Sequence, residues 1–407
     1  MRERTEVVIV GGGLIGLTLG IALGRSGIET IVVERELPER IRSATFDGRT
    51  SAIAFGSRQV LEALGLWRAV GQEAEPILDI RVADGDSLLF LHYDHRDIGT
   101  NPFGHIIENR HLRKTLLKSM GEVPKLKLKA PAEVRRIERQ PCGVVVHLDS
   151  GDTIEGQISI AADGRNSPAR EAAGIRTLRW SYPQTAIVCT VHHEKPHRGV
   201  AVEHFLPAGP FAILPMTKNR SSIVWTEKST LVPSLLALEP DAFLQELSCR
   251  FGDYLGALEV VGKRWSYPLS LVLAGRYFDD RLVLVGDAAH GIHPIAGQGL
   301  NLGFRDVASL VECLVTAHRL GLDLGYGVHL ERYQRLRRFD NFLMAAATDG
   351  LNRLFSNDVA PLRFVRDTGL AAVNRFSPMK RRLMRHAMGM TARRLDKEPR
   401  LIRGLPL

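Results

Sequence analysis

The chain opens on a β-branched, apolar run from Glu6 to Val10, crosses a cluster of glycines and continues without a charge to Gly24. A second short apolar run, 29–34, follows. Runs of this kind suit strands buried on both faces of a parallel sheet, and the pattern predicts a strand–helix–strand opening. Between about residues 76 and 107 the pattern changes to short alternating segments, 88–93 among them, with the turn signal Asp84-Gly85-Asp86. Residues 112–120 have helical spacing, and 143–148 with 153–160 predict a hairpin that leads into another buried strand. From 177 to 273 short strands dominate, at 186–191, 200–206, 211–215, 222–226 and 265–271, with one helix near 241–250. Strands without intervening helices predict an antiparallel sheet. The parallel type returns at 281–285 and runs into a long helix from about Gly299. Beyond about Glu331 the chain reads as helical, with turns at 357–361 and 377–378. There is no internal repeat and no low-complexity segment.

Composition narrows the class. A chain of 407 residues allows two or three domains. With 44% hydrophobic and 24% charged residues it is not a disordered, fibrous or coiled-coil chain. Cys142, Cys189, Cys249 and Cys313 are scattered without a C-x-x-C pair, which argues against a zinc ribbon, an iron–sulfur site or a disulfide scaffold. That usage suits a reducing cytosol. The uncharged run 7–24 approaches the length of a membrane span, but its six glycines fit a strand, a tight turn and a buried helix better, and no transmembrane helix is expected. The net charge of +9 is uneven: residues 331–407 carry 17 Lys/Arg against 7 Asp/Glu, whereas 1–330 carry 37 against 38. The tail is a basic module on a neutral body.

The chemistry begins at Gly11-x-Gly13-x-x-Gly16, between a strand and a helix, with Glu34 ending the next strand. Glycines let the backbone approach a pyrophosphate, the helix N-terminus offers unpaired N–H groups, and the carboxylate accepts ribose hydroxyls. The acidic Glu34 disfavours a 2′-phosphate, so NADP is not the ligand of this turn. The turn alone leaves NAD and FAD open. Two distant segments bear on the choice: Ala161-Ala162-Asp163-Gly164-Arg165-Asn166-Ser167, and Val285-Gly286-Asp287-Ala288-Ala289-His290 continuing through His293-Pro294-Ile295-Ala296-Gly297-Gln298-Gly299-Leu300-Asn301-Leu302-Gly303 to Asp306. A simple NAD dehydrogenase does not require a second strand ending in Gly-Asp so far along, whereas the longer FAD must be held by a remote piece of the fold.

In this order the three segments resemble the single-component flavoprotein aromatic hydroxylases, and the run from His293 to Gly303 with Asp306 is similar to the signature of the ubiquinone-biosynthesis hydroxylase family. The resemblance extends to Asp47-Gly48-Arg49-Thr50-Ser51-Ala52-Ile53-Ala54 and Ala212-Ile213-Leu214-Pro215, essentially the whole chain. It implies an α/β chain: a Rossmann-like FAD-binding domain (1–75, 108–176, 275–330) interrupted by an antiparallel β-sheet substrate domain (76–107, 177–274), with a basic C-terminal helical tail (331–407). It implies that Gly11, Gly13 and Gly16, with Leu14 and Ile15 between them, hold the FAD pyrophosphate, and that Glu34, with Arg35 beside it, holds the adenosine ribose. Arg49 would lie near the pyrophosphate or ring. Asn109 falls where relatives carry a Gln or Arg touching the cofactor. Asp163 and Gly164 belong to a motif serving FAD and the pyridine nucleotide. Gly286 and Asp287 would meet the ribityl hydroxyls, and Pro294, Gly297, Gln298, Gly299, Leu300 and Asn301 would wrap the isoalloxazine. Backbone N–H groups at the start of the helix after Gly299 would face the negative charge of reduced flavin, each interaction contributing about 0.3–2 kcal/mol.

No side chain is assigned as catalytic. His293 and Pro294 are expected to line the site, His290 and His293 to shape the loop over the flavin, and no metal is expected. Asp163 has a second reading as the cap of the helix near Ala169. Tyr182, Trp265 and Tyr267 are read first as core. The implied reaction is hydroxylation of a polyprenylated phenol, a ubiquinone precursor, through a flavin C4a-hydroperoxide, with NAD(P)H as transient donor and O₂ as co-substrate. A small soluble aromatic acid is the alternative substrate, calling for a guanidinium such as Arg198, Arg220 or Arg264. A low-turnover FAD-bearing component of a membrane-associated complex is the third reading. In the tail, Met379, Leu383, Met384, Ala387, Met388 and Thr391 form an apolar stripe between Lys380, Arg381, Arg382, Arg385, Arg393 and Arg394. That stripe suits an anionic membrane or other ubiquinone-biosynthesis proteins, and packing on the body is its bland alternative. No nucleic acid is expected. The protein is expected in the cytoplasm, with peripheral contact at the inner face of the cytoplasmic membrane.

Overall fold

The computed structural model describes residues 1–37, 48–85, 87, 90–357, 366, 368, 369, 372–390 and 398–407. Its centre is a six-stranded sheet in the order Phe278–Asp279, Leu282–Leu284, Ile158–Ala161, Val7–Val10, Thr30–Val33, Leu126–Lys129. Every neighbouring pair is parallel except the first. The inner strands are buried on both faces, as their unbroken apolar sequence requires. Helices Leu14–Arg25, Asn109–Met120 and Gln298–Arg319 pack against the sheet.

The expected strand 153–160 is two elements. Thr153–Gly156 joins a separate four-stranded sheet with Arg2–Arg4, Gly143–Leu148 and Val134–Gln140. The chain crosses at Gln157, whose N–H donates to Glu6, and only then enters the parallel sheet.

An eight-stranded sheet forms the second layer, in the order His290–Gly291, Leu258–Ala274, Thr177–His193, Arg220–Lys228, Gly209–Met216, Val200–Leu206, Asp79–Asp84, Phe90–Asp94. It is antiparallel except where Val200–Leu206 runs parallel to Asp79–Asp84. The segment 76–107, expected to belong wholly to this sheet, is divided. Gly104–Glu108 pairs instead with Thr50–Ala54 on one side and with Glu75–Ile77 on the other, in a three-stranded sheet where Ile77, Phe103 and Ile106 supply buried apolar side chains. Leu88 and Asp86 lie outside the described residues, and the strand begins at Phe90.

Side chains alternate across the large sheet. Ile187, Cys189, Val191, Phe211, Ile213, Ile223 and Trp225 point to one face, where helix Pro240–Phe251 covers them with Phe243, Leu247 and Phe251. The opposite face turns toward the parallel sheet: Ala186 with Ile292 and Leu302, Ala201 and Met216 with Ala52 and Phe55, and Phe205 with Ile295.

The basic tail is not an appendix that starts at Glu331. Helix Gly327–Phe355 begins before it and buries Leu330, Tyr333, Arg337, Asn341, Met344, Ala345 and Thr348 at helical spacing. Tyr333 donates its hydroxyl proton to Leu284 in the parallel sheet at 2.9 Å. In helix Ser377–Ala387 the apolar stripe divides. Met384 and the following Met388 are buried with Ile77, Leu91 and Tyr93, whereas Met379 and Leu383 are exposed. Thr391, Arg393, Arg394 and the turn residues 358–361 lie outside the described residues. Among the described residues no helix is long and apolar enough to cross a membrane.

Candidate cofactor site

Three turns meet at the carboxyl ends of adjacent parallel strands, the position where open α/β sheets bind ligands. The first follows Val7–Val10. A Cβ on Gly11 would lie 2.4 Å from the Ala162 carbonyl oxygen, and one on Gly16 would lie 1.9 Å from the Gly11 carbonyl oxygen. Those two glycines serve close backbone approach, whereas Gly13 faces open space. Helix Leu14–Arg25 has no side-chain cap and no acid in its first turn, so its leading N–H groups are left for an anion. Glu34 is anchored beside this turn: its Oε2 accepts from Gly12 N–H at 2.6 Å and its Oε1 from Glu36 N–H at 2.8 Å. Arg35 is exposed.

The second turn, Asp163-Gly164, follows Ile158–Ala161. Asp163 Oδ2 accepts from Ala169 N–H at 3.2 Å, so its capping role is real, with Ser167 Oγ accepting from Arg170 N–H at 3.0 Å. Its Oδ1 is buried and has no hydrogen-bond partner among the described residues, and burial pushes the carboxyl above its ordinary range. Arg170 is buried and ties this turn to the third, donating to the Arg165 carbonyl at 3.1 Å and the Ala288 carbonyl at 2.9 Å.

The third turn is Gly286-Asp287. Ile15 packs against Gly286, and a Cβ on Gly303 would lie 2.6 Å from Ile15 Cδ1, which explains why a glycine stands there. Asp287 is 45% exposed and faces Arg165 at 3.5 Å. Below the turn the environment is ionic. Asp306, fully buried, accepts from Gly286 N–H at 3.0 Å, from Arg337 Nε at 2.8 Å and from Asn341 Nδ2 at 3.2 Å, and it pairs with His290. Burial alone would raise the Asp306 carboxyl, but His290 and Arg337 hold it well below the usual carboxylate range. His290 therefore does not shape the loop over the flavin; it turns inward because Asp306 draws it into the core.

The loop after it carries an exposed Pro294, a buried Ile295 and a left-handed Gly297. Helix Gln298–Arg319 again starts without a side-chain cap or an acid in its first turn, and Gly299 faces open space. Leu300 packs partly on the core and Gln298 is buried. The Asn301 amide is engaged by backbone: Nδ2 donates to Ala52 O at 2.8 Å and Gly297 O at 3.1 Å, and Oδ1 accepts from Ala54 N–H at 2.9 Å. It fastens strand Thr50–Ala54 to the loop and thereby sets the loop's shape. Beside that strand, Arg49 Nε donates to the Tyr267 hydroxyl at 3.2 Å and its guanidinium stands over the Tyr267 ring at 5.1 Å. Asn109 accepts from Ser51 Oγ at 2.6 Å and donates its N–H to the Arg49 carbonyl. The Trp265 ring covers Gly48, where a Cβ would approach it to 2.1 Å. Trp265 and Tyr267 thus belong to the site-facing side of the large sheet. His293 is buried, with the Tyr182 ring edge-on at 5.0 Å, and burial lowers its pKa to about 4.

Residues 4–321 match the family described as FAD binding domain. The ubiquinone hydroxylase UbiL of Rhodospirillum rubrum is 54% identical over 402 residues, covering 99% of this chain and 93% of the relative. The 3-demethoxyubiquinol 3-hydroxylase of Escherichia coli is 33% identical over 390 residues, covering 95% and 99%. The chain belongs to the FAD-dependent monooxygenase family of ubiquinone biosynthesis. The crystal structure of p-nitrophenol 4-monooxygenase PnpA from Pseudomonas putida has the same fold as this monooxygenase, with a TM-score of 0.81 at 19% identity over 97% of this chain and 100% of that one.

The residues present fit FAD. Two uncapped helix N-termini suit its phosphates and the electron-rich edge of its ring, and open backbone at Gly13 and Gly299 leaves room for close contact. FAD supplies the oxygen-transfer chemistry when bound; the chain must hold it, orient it and keep water away. Several residues of this monooxygenase that organise the site carry little sequence signal. Arg165 joins the second turn to the large sheet and the loop, donating to Ser270 O at 3.1 Å and Ile292 O at 3.3 Å. Arg337 was hidden among the tail's arginines, and only its spacing to Asn341, to which it donates at 2.6 Å, hints at an inward face.

Proposed function

We propose that this monooxygenase hydroxylates the aromatic ring of a polyprenylated phenol on the way to ubiquinone, with O₂ as co-substrate and NAD(P)H as a donor that docks transiently. In this reading the parallel sheet and its three turns hold FAD, and the eight-stranded sheet roofs the substrate. The observation that carries it is the apolar character of the roof's inner face, where Ala186, Ala201, Phe205, Leu214 and Val224 turn toward the cofactor loops. The three guanidiniums expected for a small aromatic acid are engaged or turned away from it. Arg220 is held by Glu108 at 3.0 Å, Arg264 donates to Leu238 O at 2.7 Å and stacks on Phe243 behind the sheet, and Arg198 is exposed in a turn. An uncharged phenol with a long apolar tail suits such a face. Deleting the gene and measuring quinone intermediates by mass spectrometry tests the reading. Accumulation of a prenylated phenol lacking one hydroxyl is expected; an unchanged quinone pool, with no second hydroxylase present, contradicts it.

Peripheral contact with an anionic bilayer belongs to the same proposal. Its support is the outer face of helix Gly327–Phe355, where Leu336, Phe339, Phe342 and Leu343 are exposed beside Arg332, Arg335 and Arg338. Co-sedimentation with anionic vesicles should fall when Phe339 and Phe342 are both changed to Ser; equal binding of both proteins contradicts this surface.

A further inference from the structure

The reaction just proposed attacks an electron-rich ring, and a phenol becomes far more electron-rich once its hydroxyl proton is removed. A base beside the ring is therefore chemically useful. No histidine of the site is placed for this. His290 is paired with Asp306 in the core, and His293 is buried against Tyr182.

The inner face of the large sheet carries one carboxylate in a different situation. Glu203 lies in the middle of strand Val200–Leu206, opposite Ala212 on one side and Val82 on the other. Its neighbours on the same face are Ala201 and Phe205, each about 6.6–7 Å along the strand. These two residues mark contacts between the roof and the floor. Ala201 belongs to the cluster that includes Ala52 and Phe55, and Phe205 packs with Ile295 of the cofactor loop and Phe355. Glu203 thus emerges between the two places where the sheet meets the segments that flank Gly297. Its cross-strand row continues through Ala212, Val224 and Val188 to Trp265, a row with no other charge.

The Glu203 carboxylate has no hydrogen bond or ion pair among the described residues, although the other acidic groups of this region are paired. Asp84, next to Phe205 across the parallel pairing, is matched by Arg366 at 2.8 Å, and Glu108 by Arg220 and Arg110. Tyr93, on the far strand, is buried and stays protonated, its pKa pushed up to about 12. Residues 294–301 bring no charge. A half-buried carboxylate surrounded by apolar side chains and left without a partner is costly unless a ligand completes it.

We propose that Glu203 is the catalytic base that receives the phenolic proton of the substrate. This rests on the hydroxylase reading above. In the step, the phenol O–H bond breaks, a carboxyl O–H bond forms on Glu203, and the electron pair left on oxygen is delocalised into the ring; no electron changes owner. Burial pushes the Glu203 carboxyl up to about 7, which brings it near the working pH of a general base. The carboxylate form does the work, so activity rises with pH through that value.

The test compares wild-type holoenzyme with Glu203→Gln, which keeps shape and removes the charge. Two readouts are taken: hydroxylation of a short-chain prenylated phenol between pH 5.5 and 8.5, and flavin-fluorescence titration with that phenol and with its O-methyl ether. Glu203→Gln should retain FAD, lose about 10²–10⁴-fold in hydroxylation and lose the rising limb near pH 7. The wild-type preference for phenol over ether, about 10–100-fold for a hydrogen bond to a charged group, should collapse in the variant. Glu203→Asp, with the carboxylate drawn back by one methylene, should keep the limb at a reduced rate. A wild-type pH limb in Glu203→Gln, or an unchanged phenol-to-ether ratio, overturns the assignment. If wild-type protein fails to hydroxylate while the phenol preference still collapses in the variant, the hydroxylase reading falls and Glu203 stands as the phenol-binding group.

Discussion

The Gly11–Gly16 turn and the Gly286-Asp287 turn end neighbouring regions of the same parallel sheet, yet they are held in opposite ways. The first is held by shape: backbone lies against backbone at Gly11 and Gly16, and the one carboxylate that meets it, Glu34, accepts from Gly12 N–H at its side. The second stands on a buried ionic cluster, with Asp306 accepting from its backbone while Arg337 neutralises the carboxylate and His290 hydrogen-bonds to it. A turn held by shape fails when volume is added; a turn held by charge fails when charge is removed. The difference also assigns helix Gly327–Phe355 a task, because Arg337 reaches the Gly286-Asp287 turn through Asp306.

The largest effect expected from that contrast is at the first turn. Gly16→Ala places a Cβ 1.9 Å from the Gly11 carbonyl oxygen, so the turn or the helix must move, and a loss of more than about 4 kcal/mol is expected in denaturant unfolding, with little FAD retained. At the second turn, Asp306→Leu takes one of its two carboxylates from the buried Arg337, leaving Asp340, and should cost about 3–5 kcal/mol. Adding Arg337→Met removes the under-compensated charge, so the double variant should be more stable than Asp306→Leu alone. A double variant as unstable as the sum of the two single ones would mean that the cluster does not act as a unit.

A smaller effect concerns pH. His293 is neutral in the folded protein, with its pKa lowered to about 4 by burial, against about 6.5 in an unfolded chain. Above pH 6.5 neither state takes up the proton and the full stability is present. As pH falls from 6.5 toward 4 the unfolded chain binds it first, so stability falls by about 2–3 kcal/mol. Denaturation of wild type and His293→Phe at pH 7 and 4.5 should show a smaller acid loss in the variant.

The same contrast explains what could be read from the chain. Gly11, Gly13, Gly16 and Glu34 were legible because close backbone approach admits only glycine, and because strand, turn and helix are consecutive. The Gly286-Asp287 strand and the helix behind it were legible from apolar runs. The clamp below them was not, because Arg337 lies 31 residues beyond Asp306 in a segment whose arginines read as a solvated basic face. The apolar stripe near Met384 was visible, but periodicity cannot tell a bilayer from the protein's own core, and Met384 and Met388 met the core. The parallel pairing of Asp79–Asp84 with Val200–Leu206 leaves no local trace, since its partners are more than a hundred residues apart. Glu203 was illegible for a similar reason: an alternating strand with one acid reads as half-solvated until the sheet's inner face is known.

The most direct test of the claim that three remote turns converge on one FAD is the flavin content of Asp287→Ala. Asp287 is half-exposed and its only described ion pair is with Arg165, so its removal should leave folding largely intact. The account predicts wild-type protein with one FAD per chain and Asp287→Ala that folds with an unchanged far-ultraviolet spectrum but is nearly colourless. Stoichiometric FAD in the variant would contradict it.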